Sequence, residues 1–139
     1  LLQLTGKTAR AVEAVVVVAD HLGSPLNSRE LSSMLDCPER FLEPMMQKLV
    51  RAGILVSQRG PGGGYLLARE RRRISLYDIL AALDADQDKP VFVSDTARAM
   101  LAPVFEQLQE SRRVQLQGVN LDMLTRRKTA KTVAGDFTI

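Results

Sequence analysis

A chain of 139 residues, 45% of them hydrophobic, is sized for one folded domain, or one domain with an extended arm, and is too apolar to stay disordered. Aromatics are only 4%, so the core is built from Leu, Val, Ala and Met, and a formal charge of +3 with a pI near 9.4 admits nucleic acid as a partner without demanding it. A single cysteine, Cys37, and a single histidine, His21, exclude a disulfide framework, an all-cysteine metal site within one chain, and any Cys–His or Ser–His–Asp set on which an enzyme could rest.

Residues 5–22, TGKTARAVEAVVVVADHL, predict the first helix. Ala9, Val12, Val16, Ala19 and Leu22 recur at helical spacing, and Val15 and Val18 widen the apolar face. Four consecutive valines also suit a buried strand, but the flanking alanines and the length favour a helix buried on more than one side. His21 falls in the last turn, as a partner for the C-terminal end of the helix dipole. The apolar run AVVVVA at 14–19 is far too short to span a bilayer. No secretory signal is visible, Leu1 points to an altered or trimmed start, and the expectation is a reducing, cytoplasmic setting without a membrane partner.

HLGSPLNS forms a loop, and Asn27 with Glu30 three positions later reads as a capping box opening a second helix, Ser28 to Leu35. DCP at 36–38 breaks it. A third helix runs from Glu39 to Ala52, with Phe41, Met45 and Leu49 as one apolar stripe and Leu42, Met46 and Val50 as its neighbour. Arg40, Glu43, Gln47 and Arg51 remain outside, close to one face. Gly53 ends the helix. ILVSQR at 54–59 and GYLLA at 64–68 predict two strands around a GPGG turn, whose backbone angles suit glycine. ISLYDILAALD at 74–84 predicts a further helix, capped by Ser75, with Ile79, Leu80 and Leu83 facing inward. After a polar joint, DADQDKP, a long helix spans Ser94 to Gln117, with Met100, Leu101, Val104, Phe105, Leu108 and Val114 as its apolar stripe; Pro103 bends it or lies in its first turns. NLDML at 120–124 predicts a short helix capped by Asn120, and the chain from Thr129 reads as loose.

The fold class is therefore mainly α with a small β-hairpin: a winged helix-turn-helix domain over 1–84, a dimerisation arm over 85–128 and a flexible tail over 129–139. In this layout the outer face of the third helix reads DNA. Arg40 and Arg51 suit guanine or phosphate, and Glu43 accepts from the cytosine amino group while repelling phosphate, so it filters sequence and adds no affinity. Arg59 at the hairpin suits a minor groove, and Gly60, Gly62 and Gly63 let the turn lie against a sugar–phosphate wall. RERRR at 69–73 holds flanking backbone in this reading. GPGGG lacks the lysine and the strand–loop–helix order of a nucleotide-binding loop. The long apolar stripe points to a homodimer placing two reading heads on one palindromic site.

Taken together, QLTGKTARAV near the start, FLEPMMQKLVRAGILVSQRGPGGGYLLAR across helix and hairpin, and SLYDILAALD after it resemble the Rrf2 family of bacterial transcription regulators. The resemblance covers residues 2–127, with the hairpin its most specific piece, and the long arm followed by VNLDML is similar to the family's dimerisation helix and closing turn. It implies a homodimer binding double-stranded operator DNA, mostly as a repressor, with Pro38–Arg51 as the base-reading helix, Arg40, Phe41 and Glu43 at its forward contact positions and Arg59 with Gly60 to Gly63 as the wing. The family often has a polar residue where this chain has Pro44.

Members of the family that hold an iron–sulfur cluster place three cysteines before and at the start of the long helix. Here that region reads DADQDKPVFVSDTARA, without cysteine or histidine, so no cofactor is expected, and Asp84, Asp86, Asp88 and Asp95 read as a solvated acidic loop and not a metal site. Cys37, near the start of the reading helix, is the candidate redox site beside a plainer reading as a small residue filling the turn. Two alternatives stay open: a winged-helix scaffold that binds protein partners without DNA, and a regulator sensing a small molecule between the winged domain and the arm, with Met100 and Phe105 as lining.

Overall fold

The computed structural model describes residues 4–84 and 90–135. Thr5 opens α1 (Gly6–Asp20) by accepting a hydrogen bond from the Thr8 N–H, and His21 closes it with Nδ1 3.0 Å from the Val17 carbonyl oxygen. Ala11, Ala14, Val15, Val16, Val18 and Ala19 are buried, so α1 is a central helix covered on several sides by its neighbours. The buried face is shifted from the predicted stripe. Ala9 and Val12 are half-buried, and Leu22 lies beyond the helix at 75% exposure, because the chain turns at His21 before its side chain can reach the core.

Then α2 (Ser28–Leu35) starts at the expected capping box: the Asn27 side chain accepts the Glu30 N–H at 2.8 Å and the Glu30 carboxylate accepts the Asn27 N–H. Asp36, in the left-handed region at φ 51, turns the chain into α3 (Glu39–Arg51). Leu42, Met45, Met46 and Leu49 are buried; each such side chain contributes about 1.5–3 kcal/mol, so the inner face fixes how α3 sits and leaves the outer face free. Phe41 departs from the apolar stripe assigned to it, while its exposure agrees with a forward contact position. It is 40% exposed and stands outside the core, since the inward arc closes at Leu42. Pro44 lies within α3 without ending it and withdraws the N–H that the Arg40 carbonyl would otherwise accept.

Strands β1 (Leu55–Gln58) and β2 (Gly64–Leu67) pair antiparallel, with Leu55 opposite Leu67 and Gln58 opposite Gly64. A link not visible in the sequence ties this hairpin down: Leu26 and Tyr65 exchange both backbone hydrogen bonds, at 3.2 and 2.8 Å. A 3-10 turn, Arg71–Arg73, leads to α4 (Leu76–Asp84), where the Ser75 hydroxyl accepts the Asp78 N–H and the Asp78 carboxylate accepts the Ser75 N–H, both at 3.0 Å. Ile79 and Leu83 are buried as expected, and Leu80 is half-buried.

The long helix α5 (Asp95–Gln117) is capped by Ser94 and has no buried residue; Pro103 lies well inside it, not in its first turns. Met100 at 64% and Val104 at 53% exposure, with Leu101, Leu108 and Val114, form an uncovered apolar stripe. Phe105 differs from the rest of that group: it is half-buried and packs edge-on against Phe92, ring centroids 6.1 Å apart. The chain then returns to the domain. Leu76 N–H donates to the Val119 carbonyl, Leu121 N–H donates to the Ile74 carbonyl, and Leu121 is fully buried. The last helix, α6 (Leu121–Gly135), is far longer than the short helix predicted at 120–124 and continues through residues read as loose from Thr129. Its packing on α1 includes a Lys128–Asp20 ion pair at 3.0 Å.

Candidate nucleic-acid interface

The outer face of α3 carries Arg40, Glu43, Gln47 and Arg51, all exposed, opposite the buried Leu42, Met46 and Leu49. The two ends of this face differ. Gln47 lies 3.4 Å from the Tyr65 hydroxyl of β2, and Arg51 Nε reaches the Gln47 carbonyl at 3.5 Å, so the rear is partly tied to its own chain. Arg40 and Glu43, at the front, have no such partner among the described residues. No side chain caps the N-terminus of α3, where Pro38 is the N-cap residue.

The hairpin meets α3 through Tyr65, and at its tip Arg59 is exposed. Gly60 and Gly62 adopt positive φ, and a Cβ at Gly63 would lie 2.3 Å from the Gln58 carbonyl oxygen. The turn geometry therefore accounts for the glycines, and Arg59 is left as the wing's chemical feature. The RERRR run stands among carboxylates. Arg69 lies 3.8 Å from Asp78 of α4 and Arg72 3.9 Å from Asp122 of α6, while Arg73 lies 4.0 Å from Glu70 within the run itself. Asp122 also pairs with Arg126, whose hydrogen bond holds its carboxyl below the usual aspartate range, with Arg72 and Arg71 adding to the effect. Glu110 is lowered in the same way by Arg113.

Cations differ in whether they meet a carboxylate. Arg10, Arg69, Arg72, Arg73, Arg113, Arg126 and Lys128 each meet a carboxylate. Arg40 and Arg59, on α3 and the wing, meet none among the described residues, and Arg29, Arg71, Arg98 and Arg127 also meet none. The sequence reading passed over Lys7, whose amine lies 5.7 Å from the centroid of Phe41, with the Arg40 guanidinium 5.0 Å from the same ring. No periodicity could have revealed this contact, which joins the start of α1 to the front of α3.

Residues 4–127 match the family model Rrf2, described as an iron-dependent transcriptional regulator. The chain belongs to the Rrf2 family. Among Rrf2-like relatives, the HTH-type transcriptional regulator IscR of Vibrio vulnificus strain YJ016 is 38% identical over 88 residues, 63% of this chain and 52% of that protein. IscR of Vibrio cholerae is 36% identical over a stretch of the same length, 51% of that protein. This Rrf2 chain spans about half the length of the curated relatives it matches. Among solved structures, T. potens IscR aligns at a TM-score of 0.71 and 28% identity, over 91% of this chain and 88% of that one. CymR of B. subtilis, the global cysteine regulator, aligns at 0.73 over 91% and 98%, and at 21% identity it speaks for the fold alone.

The iron in the Rrf2 description does not fit these residues. Cys37 is the only thiol of the chain, and it is half-buried between α2 and α3, packed against the core with Sγ 4.0 Å from the Pro38 carbonyl oxygen. His21, the one imidazole, is engaged with Val17. Among the described residues no group of three or more His, Cys, Asp or Glu could hold a metal ion. Asp86 and Asp88 lie outside the described residues, as does the Asp84 side chain. The donor set of an iron–sulfur cluster is missing from the chain, which carries one cysteine where several are needed. No described helix is long and apolar enough to cross a membrane.

Proposed function

We propose that this Rrf2 chain is a sequence-specific transcription regulator, acting as a homodimer on a palindromic operator and repressing by occupying it. The observation that carries the reading is the exposed front of α3, where Arg40 and Glu43 meet no ion-pair or hydrogen-bond partner among the described residues, together with the exposed Arg59 of the wing, which likewise meets none. In a helix-turn-helix this face enters the major groove. Arg40 then offers two donors to guanine, Glu43 selects for cytosine against phosphate, and Gln47 and Arg51 continue the track along the groove. Phe41 lies at the same front, and Arg59 with Gly60, Gly62 and Gly63 follows the adjacent minor groove. The uncovered stripe of Met100, Leu101, Val104 and Leu108 supports pairing of two arms, because these apolar side chains stand exposed along one side of a helix about 34 Å long.

The test is binding of duplex DNA across a potassium chloride series. Affinity should fall steeply with salt, and Arg59→Ala should weaken binding about tenfold or more. A protein-binding scaffold would show neither effect.

A second reading concerns the effector. A groove of about 520 Å³, lined by Phe92, Arg98, Phe105, Glu106 and Gln109 among others, lies at the start of α5. Arg98, Ala102, Phe105 and Gln109 recur on one side of that helix, about 130° round from Met100, Val104 and Leu108, so pairing through the stripe leaves the groove open. An amphipathic carboxylate suits its phenyl walls and Arg98. Isothermal titration against a panel of aromatic and branched-chain carboxylates, with Arg98→Ala as the comparison, tests this second reading.

A further inference from the structure

Phe41 is an anomaly that the reading of α3 leaves unexplained. It is a large apolar side chain held at 40% exposure, although α3 buries Leu42 beside it completely. What lies against its ring is charge. The Lys7 amine, from the first turn of α1, sits 5.7 Å from the centroid, and the Arg40 guanidinium sits 5.0 Å away. Both distances are within the range at which a cation is attracted to the negative face of an aromatic ring.

Neither cation has a carboxylate or hydrogen-bond partner among the described residues, although three residues from Lys7 on the same helix Arg10 pairs with Glu13 at 3.0 Å. Two like charges gathered on one ring repel each other. Such a pair is a poor way to stabilise a fold and a good way to meet an anion that passes between them. The ring fixes where both cations stand before that anion arrives, so less side-chain freedom is lost on contact.

We infer that Lys7 is a phosphate-contacting residue of the DNA interface, presented together with Arg40 by the Phe41 ring, so that the start of α1 grips the backbone flanking the groove that α3 enters. The inference rests on the DNA-binding reading above. Phe41 is a positioning residue in it: its role is to hold the two cations, not to read a thymine methyl group.

The experiment uses the full chain and a 30-base-pair duplex of mixed, non-operator sequence, which isolates the backbone contribution. Dissociation constants are measured by fluorescence anisotropy from 50 to 200 mM potassium chloride for the wild type and for Lys7→Ala, Phe41→Leu, Phe41→Tyr, the Lys7→Ala/Phe41→Leu double variant and Arg59→Ala. Lys7→Ala should weaken binding about three- to tenfold at 100 mM salt and reduce the slope of log affinity against log salt by about 1. Phe41→Leu should reproduce part of that loss, Phe41→Tyr should restore it, and Lys7→Ala should cost less in the Phe41→Leu background than alone. Circular dichroism melts, unchanged for these surface variants, separate the loss from unfolding. An unchanged slope for Lys7→Ala, alongside a reduced one for Arg59→Ala, overturns the inference and leaves the DNA-binding reading standing. Equal losses for Lys7→Ala in both backgrounds overturn the role of Phe41. Salt-independent binding, or none, by the wild type removes the DNA-binding reading and this inference with it.

Discussion

Replacing Gly64 by alanine should release the wing from the domain that carries it. A Cβ at this position would lie 2.4 Å from the Leu26 carbonyl carbon and 2.5 Å from its oxygen, on a residue whose φ is +152. Ordinary contact begins at 3.4 Å, so the hairpin and the segment before α2 must separate by about 1 Å. The Leu26–Tyr65 hydrogen bonds, now 3.2 and 2.8 Å, would then pass out of bonding range. Two lost backbone bonds at about 1 kcal/mol each, with about 1–3 kcal/mol of backbone strain, give a destabilisation of about 3–5 kcal/mol. Urea unfolding followed by circular dichroism, at one protein concentration to hold dimerisation fixed, measures it. Gly6→Ala is the control, because nothing lies within 4 Å of a Cβ there and alanine suits the first turn of a helix. A loss below about 1 kcal/mol for Gly64→Ala, or one matching Gly6→Ala, would refute the steric argument.

Other expectations can be checked alongside. Leu108→Asp places a charge in the uncovered stripe of α5 and should shift the protein from dimer to monomer in analytical ultracentrifugation; a dimer that persists unchanged would move the interface elsewhere. The Arg126 hydrogen bond lowers the Asp122 carboxyl in the folded state, so its stabilisation is present above the unfolded value and is lost as pH falls through the folded one. Melting temperature should therefore decline below about pH 4, and Asp122→Asn should flatten part of that decline; an identical acid limb in the variant would contradict this. Cys37 is half-buried against the core, so Cys37→Ser should bind DNA within about twofold of wild type in reductant, and peroxide should affect both proteins equally. Peroxide inactivation confined to the wild type would establish Cys37 as a redox site.

What could be read in advance was what is local. The Asn27–Glu30 capping box, the bounds of α2, the end of α3 at Gly53 and the glycine turn follow from residues within a few positions of one another. The outer face of α3 was legible for the same reason, since its polar residues share one helical side. Phe41 was misplaced because two adjacent apolar stripes do not say where the inward arc closes, and the closure at Leu42 is a tertiary fact. Leu26–Tyr65, Lys7–Phe41 and Arg72–Asp122 join residues 34 or more positions apart, which no spacing rule reaches. Of the carboxylates beside RERRR, Asp122 of α6 lies 50 positions from Arg72 and no spacing rule pairs them, whereas Asp78 is nine positions from Arg69 and Glu70 lies within the run itself. The length of α6 was hidden for another reason: RRKTAKT carries no apolar period, so only its helical continuation from the buried Leu121 reveals it.

Selection of bound duplexes from a random pool, followed by hydroxyl-radical footprinting of the enriched sequence, asks most directly whether the fronts of two α3 helices and two Arg59 wings lie on one DNA. A two-fold symmetric sequence should emerge, protected in two half-sites about one helical turn apart, with the flanking minor groove also shielded. No enrichment, or a single protected half-site without symmetry, would contradict it.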